Sequence, residues 1–203
     1  MKKVFIFFCR FIVFPFLKLF IKETRGIENL PSKNNFILAS NHINGGDHWF
    51  LMYTSRERIK NLHFIGAMDN VKTFFQSALL YYLTDTIVIN RKKIDRKKII
   101  EKVSGYLKKG EIIIIYPEGD TNKNKKLLKG KTGIAELALQ NNLPVIPVGI
   151  LKEKNSKKRI IKIGKPIYFK AVERKGSYGS SLREVTDTIM REISKLSEKS
   201  YPY

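Results

Sequence analysis

The chain has 203 residues, of which 43% are hydrophobic, and this length and composition suit one domain with its own hydrophobic core. Its 39 lysines and arginines outnumber its 18 aspartates and glutamates, and the resulting net charge of +21 implies an anionic partner, either nucleic acid or an anionic membrane. A single cysteine excludes a disulfide framework, and three histidines without a cysteine cluster do not suit a zinc site, so we expect no bound metal.

Residues 1–30 favour the membrane over nucleic acid. The stretch from residue 4 to residue 21 is apolar and rich in phenylalanine, but Arg10, Pro15 and Lys18 interrupt it. It therefore falls short of the roughly 20 apolar residues that a membrane-spanning helix needs. On a helical projection the basic residues occupy roughly a third of the circumference and leave a wide aromatic face. We expect a helix, or two short helices on either side of Pro15, lying in a membrane interface. A core-packed helix and a short single-pass anchor are the alternatives.

Residues 31–203 are predicted to form the main domain. Short apolar runs alternate with helical patterns, which indicates a single α/β domain with a mixed, largely parallel sheet flanked by helices. Strands are predicted at residues 36–39, 63–67, 86–89, 112–116, 145–150 and 159–169. Helices are predicted at residues 48–57, 71–83, 95–109, 132–141 and 182–198.

A candidate reactive loop follows the first predicted strand of this domain. It contains His42 and Asp47, with Gly45 and Gly46 between them. Histidine is the usual general base at neutral pH, and a carboxylate on its second ring nitrogen fixes the tautomer and the orientation of the ring. The glycines would let the loop curl back so that the two side chains meet. The alternative is that these residues only cap the following helix.

Four segments together resemble, in order and spacing, the motifs of the glycerolipid acyltransferases, the family that includes the bacterial lysophosphatidic acid acyltransferases. The segments are Asn41-His42-x4-Asp47, Thr86-Ile-Val-Ile-Asn-Arg91, Tyr116-Pro-Glu-Gly119 and Leu143-Pro-Val-Ile-Pro-Val148. The resemblance implies transfer of a fatty acyl chain from acyl-CoA or acyl carrier protein to the hydroxyl of 1-acyl-sn-glycerol 3-phosphate, giving phosphatidic acid. His42 would be the general base and Asp47 would hold it, with no cofactor and no metal.

The resemblance also implies how the acceptor is bound. Arg91 aligns with the arginine that is associated with the acceptor's phosphate, and Glu118 with Gly119 would position the acceptor. In the family the third motif continues Gly-Thr-Arg-Ser, whereas here residues 120–122 read Asp-Thr-Asn, so the arginine of that motif is missing. Lysines of the following loop are expected to replace it.

The two candidate replacements are Lys123 and Lys131. A solvated, lysine-rich loop without a binding role is the alternative interpretation of this run.

The expected partners are an anionic membrane surface, a lysophospholipid acceptor, and acyl-CoA or acyl carrier protein; no nucleic acid is expected. The expected location is the cytoplasmic face of a membrane, with peripheral or monotopic attachment. Two alternatives stay open. Asp120 and the missing arginine leave room for the same chemistry on a different lyso-lipid. The net charge also allows a non-catalytic protein that binds anionic lipid or nucleic acid, and its binding would not depend on His42.

Overall fold

A single twisted sheet organises the chain. The computed structural model describes residues 2–32, 35–67, 86–89, 93–169 and 178–203. The strands within these ranges are β1 Ile21–Arg25, β2 Ile37–Ser40, β3 Leu62–Ala67, β4 Ile87–Ile89, β5 Ile112–Ile115, β6 Val145–Lys152 and β7 Arg159–Ile163. They lie in the order β1-β7-β6-β2-β5-β3-β4, and the β6–β7 pair is antiparallel whereas the other described pairs are parallel. The prediction of an α/β domain with a mixed, largely parallel sheet is confirmed.

Helices cover both faces of the sheet. They are α1 Lys2–Phe8, α2 Phe14–Lys18, α3 Asp47–Thr54, α4 Arg96–Lys108, α5 Gly133–Asn141 and α6 Tyr178–Ser197, with a π-helical turn at Cys9–Val13 and 3-10 turns at Ile27–Asn29 and Arg56–Asn61. The helices predicted at 95–109 and 132–141 are confirmed, and the one predicted at 48–57 ends earlier, at Thr54. The helix predicted at 71–83 lies outside the described residues.

Two strand predictions need correction. The segment 159–169 was expected to be extended throughout, but β7 ends at Ile163, and only an isolated bridge pairs Ile167 with Val145 beyond it. Strand β1 was not predicted at all, because its sequence Ile-Lys-Glu-Thr-Arg is mostly polar. Among the described strands it lies at one end of the sheet and pairs with β7.

The central strands read as continuous apolar runs because each of them is buried on both faces. Successive side chains point to opposite sides, so Leu38 packs with α1, α2 and α3, whereas Ile37 and Ala39 pack with α4, α5 and α6. The same alternation divides β5, where Ile112 and Ile114 lie on one face and Ile113 on the other. The sheet therefore separates an α1–α3 face from an α4–α6 face.

The N-terminal helical segment is amphipathic in the structure. Phe5, Cys9 and Phe14 are buried in the α1–α3 face, and burial raises the pKa of the Cys9 thiol to about 12. Large apolar side chains on the other side of the segment are exposed: Val4, Phe7, Phe8, Phe11, Ile12, Phe16 and Leu19. Core packing and an exposed aromatic face thus occur together, and the membrane contact of that face stays a prediction. Across the described residues, the helices are too short or too polar to span a bilayer.

Parallel strands bring their carboxyl ends to one edge of the sheet, which we call the carboxyl edge. Strand β2 ends there at Ser40, β5 ends there at Ile115, and β6 runs in the same direction between β2 and β7. Loops that follow parallel strands at this edge are the usual place for a binding site in an open α/β sheet. The segments that follow β2 and β5 are those that contain the first and third motifs.

Gly149 of β6 should be required for the close approach of α6. A Cβ atom built at this position would lie 2.3 Å from the carbonyl carbon of Leu196 and 2.5 Å from the amide nitrogen of Ser197. We predict that Gly149→Ala lowers the free energy of unfolding by about 1–3 kcal/mol, because backbone cannot move aside as a flexible side chain can. Urea unfolding measures this change.

The matched control is Gly105→Ala in α4, where the added Cβ would meet nothing within 4 Å. This control should be neutral or gain up to about 1 kcal/mol from helix propensity. Unchanged stability of the Gly149→Ala variant would contradict the contact between β6 and α6.

Candidate active site

His42 and Asp47 lie in the loop that joins β2 to α3 at the carboxyl edge. The side chain of Asp47 is fully buried, and its Oδ2 accepts hydrogen bonds from the backbone amides of Ile43 at 2.5 Å and Asn44 at 2.8 Å. The same oxygen lies 3.0 Å from Nδ1 of His42. An ionised carboxylate only accepts hydrogen bonds, so a hydrogen bond in this contact requires a proton on Nδ1, and in the neutral ring Nε2 is then the acceptor.

This geometry brings together the two residues predicted to form a dyad. The alternative was that these residues only cap the following helix. The amides that Asp47 accepts belong instead to Ile43 and Asn44, which precede α3, and the same oxygen contacts the imidazole. The hydrogen bond is an observation, and the catalytic role of the pair stays a prediction.

The imidazole of His42 is held on a second side by Tyr116, the residue that follows β5. The two rings stack with centroids 4.0 Å apart and planes inclined by 14°. Burial, followed by the charge of Asp47, raises the pKa of the Tyr116 phenol well above its usual range, so the ring under His42 is neutral. The stacking restricts the imidazole plane while the His42 side chain keeps 16% of its surface exposed.

Asn41 fixes the start of the His42 loop. Its side chain is fully buried, donates from Nδ2 to the carbonyl of Ile150 at 2.9 Å and accepts the amide of Ile150 on Oδ1 at 2.7 Å. This pair of bonds extends the contact between β2 and β6 by one residue beyond the strand. The sequence identifies Asn41 only as part of the first motif and does not predict its contact with Ile150, because the two residues are more than 100 positions apart.

Glu118 is buried at the turn after β5, where its carboxylate contacts His42, Asn122 and Leu128. Its Oε2 accepts from Nδ2 of Asn122 at 2.5 Å and from the amide of Leu128 at 2.8 Å, while Oε1 lies 3.4 Å from the amide of His42. The carboxylate thus joins both ends of the 118–128 loop to the His42 loop. Positioning of an acceptor by Glu118 stays a prediction.

Asn122 links the third-motif loop to His42 and to the C-terminal end of the chain. Its amide donates to the carbonyl of His42 at 2.6 Å, and its own carbonyl accepts Nζ of Lys199 at 2.6 Å. Burial lowers the pKa of Lys199, an effect that the charges of Glu118 and Asp47 oppose. Neither Asn122 nor Lys199 was among the predicted site residues, and no local pattern in the C-terminal tail points to Lys199.

The remaining residues that were predicted to position the acceptor or to bind its phosphate are Gly119, Lys131, Lys123 and Arg91. Gly119 has φ +73°, which favours glycine, and a Cβ there would lie 2.5 Å from Nζ of Lys131, so the Lys131 ammonium lies against this glycine. The amide of Lys131 donates to the carbonyl of Pro117 at 2.8 Å. Lys123 is exposed on the same loop. Arg91 lies outside the described residues.

His48 is a second histidine, and it lies beside Asp47 in the sequence. Burial lowers the pKa of His48 to about 4, the charge of His42 acts in the same direction, and the charge of Asp47 opposes both. Its ring packs edge-on against Phe64 with centroids 5.9 Å apart. His48 is therefore a neutral, packed histidine at pH 7.

A cavity of about 520 Å³ opens on the α4–α6 face next to Tyr116. Seven of its lining residues are isoleucines, and the cationic residues Arg96, Lys131 and Arg183 also line it. The lining residues are Ile65, Gly66, Ile89, Ile94, Arg96, Ile99, Ile100, Ile115, Tyr116, Pro117, Gly119, Gly130, Lys131, Thr132, Gly133, Ile134, Leu137 and Arg183. Its volume is within the range of pockets that bury small organic ligands. Tyr116 thus contacts the imidazole of His42 and also lines the cavity.

The chain is similar in sequence to known acyltransferases. The family model described as acyltransferase matches residues 22–151. The chain is 27% identical over 128 residues to mouse 1-acyl-sn-glycerol-3-phosphate acyltransferase alpha, covering 62% of this chain and 44% of the relative. It is 25% identical over 139 residues to the 1-acyl-sn-glycerol-3-phosphate acyltransferase of Borreliella burgdorferi, covering 64% of this chain and 51% of the relative. The alignments thus span about half the length of these curated relatives.

A solved structure has the same fold. It is the 1-acyl-sn-glycerophosphate (LPA) acyltransferase, PlsC, from Thermotoga maritima, with a TM-score of 0.61, 24% sequence identity, and coverage of 91% of this chain and 76% of that chain. At this identity the likeness establishes the fold. The sequence match, in contrast, covers all four motifs and confirms the resemblance to the acyltransferase family. Because the family model matches more than half of the residues, the chain belongs to the acyltransferase family.

Proposed function

We propose that the protein transfers a fatty acyl chain from acyl-CoA or acyl carrier protein to the hydroxyl of 1-acyl-sn-glycerol 3-phosphate, forming phosphatidic acid. The observation that carries the proposal is the hydrogen bond between His42 Nδ1 and the buried Asp47 carboxylate at the carboxyl edge. Family membership and the names of the relatives support the reaction and the acceptor.

In the proposed reaction His42 acts as a general base through Nε2. It accepts the proton of the acceptor hydroxyl as that oxygen attacks the thioester carbonyl, and Asp47 stabilises the imidazolium that forms. The tetrahedral intermediate then expels the thiolate of the donor, which takes the proton from His42. The acyl group passes directly between substrates, so no covalent acyl-enzyme is needed.

The contacts of the pair support this role because they fix the base before substrate binds. Two backbone amides hold the Asp47 carboxylate, Tyr116 stacks on the imidazole, and Asn122 donates to the His42 carbonyl. A base held in one orientation has less freedom to lose in the transition state. The partial exposure of His42 leaves the ring accessible to a substrate.

The cavity beside Tyr116 supports binding of an acyl chain. Its isoleucine-rich walls offer an apolar surface, and Gly119 and Lys131 also line the cavity. An acyl chain in this cavity would gain from burial of its methylene groups at about 0.8 kcal/mol for each one. We therefore assign the cavity to a fatty acyl chain of a substrate.

Lys131 is the best-placed described cation for the acceptor's phosphate. Its ammonium lies against Gly119, which is two residues before the position at which the family's third motif has its arginine. Lys123, exposed on the same loop, is a second candidate, and Glu118 with Gly119 would shape the acceptor site.

Asp120 adds an exposed negative charge to this loop, and this observation favours a second candidate function, the same chemistry on another lyso-lipid.

The exposed face of the N-terminal helices supports membrane association. Phe7, Phe11 and Phe16 are 63%, 64% and 62% exposed, although phenylalanine is usually a buried residue. The basic surface would add attraction to anionic lipids. We propose that the protein lies on the cytoplasmic face of a membrane, attached through this aromatic face.

Removing the proposed base should slow acyl transfer strongly. We predict that His42→Ala lowers kcat by about 10²–10⁴-fold in mixed micelles that contain an acyl thioester and lysophosphatidic acid, as is typical of general-base catalysis. Release of the free thiol measures the rate. His48→Gln is the matched control, and it should keep most of the activity because His48 is neutral and packed against Phe64.

A panel of acceptors tests the substrate in the same assay. Turnover restricted to another lyso-lipid would support the second candidate. Equal rates for wild type and His42→Ala, or no turnover with any acceptor, would contradict acyl transfer by this site and favour a non-catalytic binder.

Lys131 should act on the acceptor and not on the chemical step. We predict that Lys131→Met raises KM for lysophosphatidic acid by about tenfold, with kcat little changed. This factor corresponds to the free energy of one hydrogen bond to a charged group. KM for an uncharged monoacylglycerol should not change. Lys125→Met, on the same exposed loop, is the control. A change in KM that is equal for both acceptors would contradict phosphate binding by Lys131.

A further inference from the structure

The connection between β6 and β7 projects beyond the edge of the sheet that contains His42. Val148 of β6 pairs with Ser40, the last residue of β2, and β6 then continues for four more residues to Lys152. At roughly 3.3 Å for each residue, β6 extends about 13 Å past the end of β2. The β6–β7 connection therefore lies on the side of the carboxyl edge, beyond the end of β2.

This connection, which we call the lysine hairpin, presents an almost purely cationic surface. Lys152, Lys154, Lys157 and Lys158 are all exposed. The one acidic residue among them, Glu153, forms an ion pair with Lys22 of β1, so its charge is already compensated. The lysine hairpin thus offers four exposed ammonium groups within seven residues.

The lysine hairpin has a defined turn that holds these charges together. The amide of Glu153 donates to the carbonyl of Lys158 at 3.0 Å, and the amide of Lys158 donates to Oγ of Ser156 at 3.0 Å. Asn155 occupies the left-handed region with φ +54°, a conformation that asparagine tolerates better than most residues. The cations therefore sit on an ordered support and not on a free tail.

The base of the lysine hairpin contacts the end of the N-terminal aromatic segment. The amide of Arg159 donates to the carbonyl of Phe20 at 2.8 Å, and Ile21 pairs with Arg159 at the start of β1. Phe16 and Leu19, just before this point, are 62% and 66% exposed. Basic residues next to exposed aromatic and aliphatic side chains are the combination that binds an anionic bilayer surface.

We infer that the lysine hairpin binds the headgroups of an anionic phospholipid bilayer and, with the aromatic segment, orients the carboxyl edge toward that bilayer. The inference rests on the proposed membrane association and adds a second attachment point at the level of the active site. It gives the acceptor a short path, since a lyso-lipid in the bilayer would reach His42 without leaving the surface.

Vesicle binding of charge-matched variants tests the inference. The hairpin variant combines Lys154→Gln, Lys157→Gln and Lys158→Gln. The control combines Lys60→Gln, Lys108→Gln and Lys109→Gln, three exposed lysines that precede β3 and β5 at the opposite edge of the sheet. Full-length proteins are titrated with phosphatidylcholine vesicles that contain or lack phosphatidylglycerol, and circular dichroism checks that both variants fold.

The hairpin variant should bind the anionic vesicles about 100-fold more weakly than wild type, since each lysine near a charged surface contributes roughly a factor of five. The control should lose less than tenfold, because its lysines lie more than a Debye length of about 10 Å from the bound surface. Binding to vesicles without phosphatidylglycerol should be the same for all three proteins. Equal losses in the two variants, or none in the hairpin variant, would overturn the inference.

Acyl transfer in detergent micelles separates this inference from the proposed function. Both variants should keep wild-type activity there, because neither changes a residue of the His42 site. A wild-type protein that transfers no acyl group in micelles would contradict the proposed function, whereas the comparison of vesicle binding concerns the lysine hairpin alone.

Discussion

The buried carboxylate of Asp47 is the interaction on which the site depends. Leaving water is costly for a carboxylate unless hydrogen bonds replace its hydration, and here one oxygen accepts two backbone amides and contacts the imidazole of His42. These bonds force the chain between β2 and α3 into a tight loop. The same bonds set which nitrogen of His42 holds the proton, so the loop geometry and the proposed chemistry have one physical cause.

The surrounding fold holds this loop from three directions that are far apart in sequence. Asn41 joins it to β6 through two hydrogen bonds with Ile150, Glu118 and Asn122 join it to the loop after β5, and Lys199 ties that loop to the C-terminal end. Parallel strands make this convergence possible because their carboxyl ends share one edge. An imidazole on such a support is held in one orientation, as the proposed role of His42 as a base requires.

The parts of the structure that could be predicted are those with a local cause. The buried strands β2 and β5 are short apolar runs, and His42 with Asp47 is a pair whose spacing itself defines the loop. Strand β1 was missed because its sequence is polar, and only pairing with β7 makes it a strand. The contact of Lys199 with Asn122 was missed for the same kind of reason, since 77 positions separate the two residues and no local pattern connects them. Long-range pairing, and not local propensity, decides both.

The central claim is that Asp47 holds His42 as a base with Nε2 free, and the most direct test is the tautomer of that ring. Nitrogen-15 NMR of histidine-labelled protein at a pH where the ring is neutral should show His42 protonated on Nδ1 and unprotonated on Nε2. In Asp47→Asn this preference should weaken, because the charge that selects the tautomer is gone. A proton on Nε2 in the wild-type protein would contradict the account, since that nitrogen could then not accept a proton from a substrate hydroxyl.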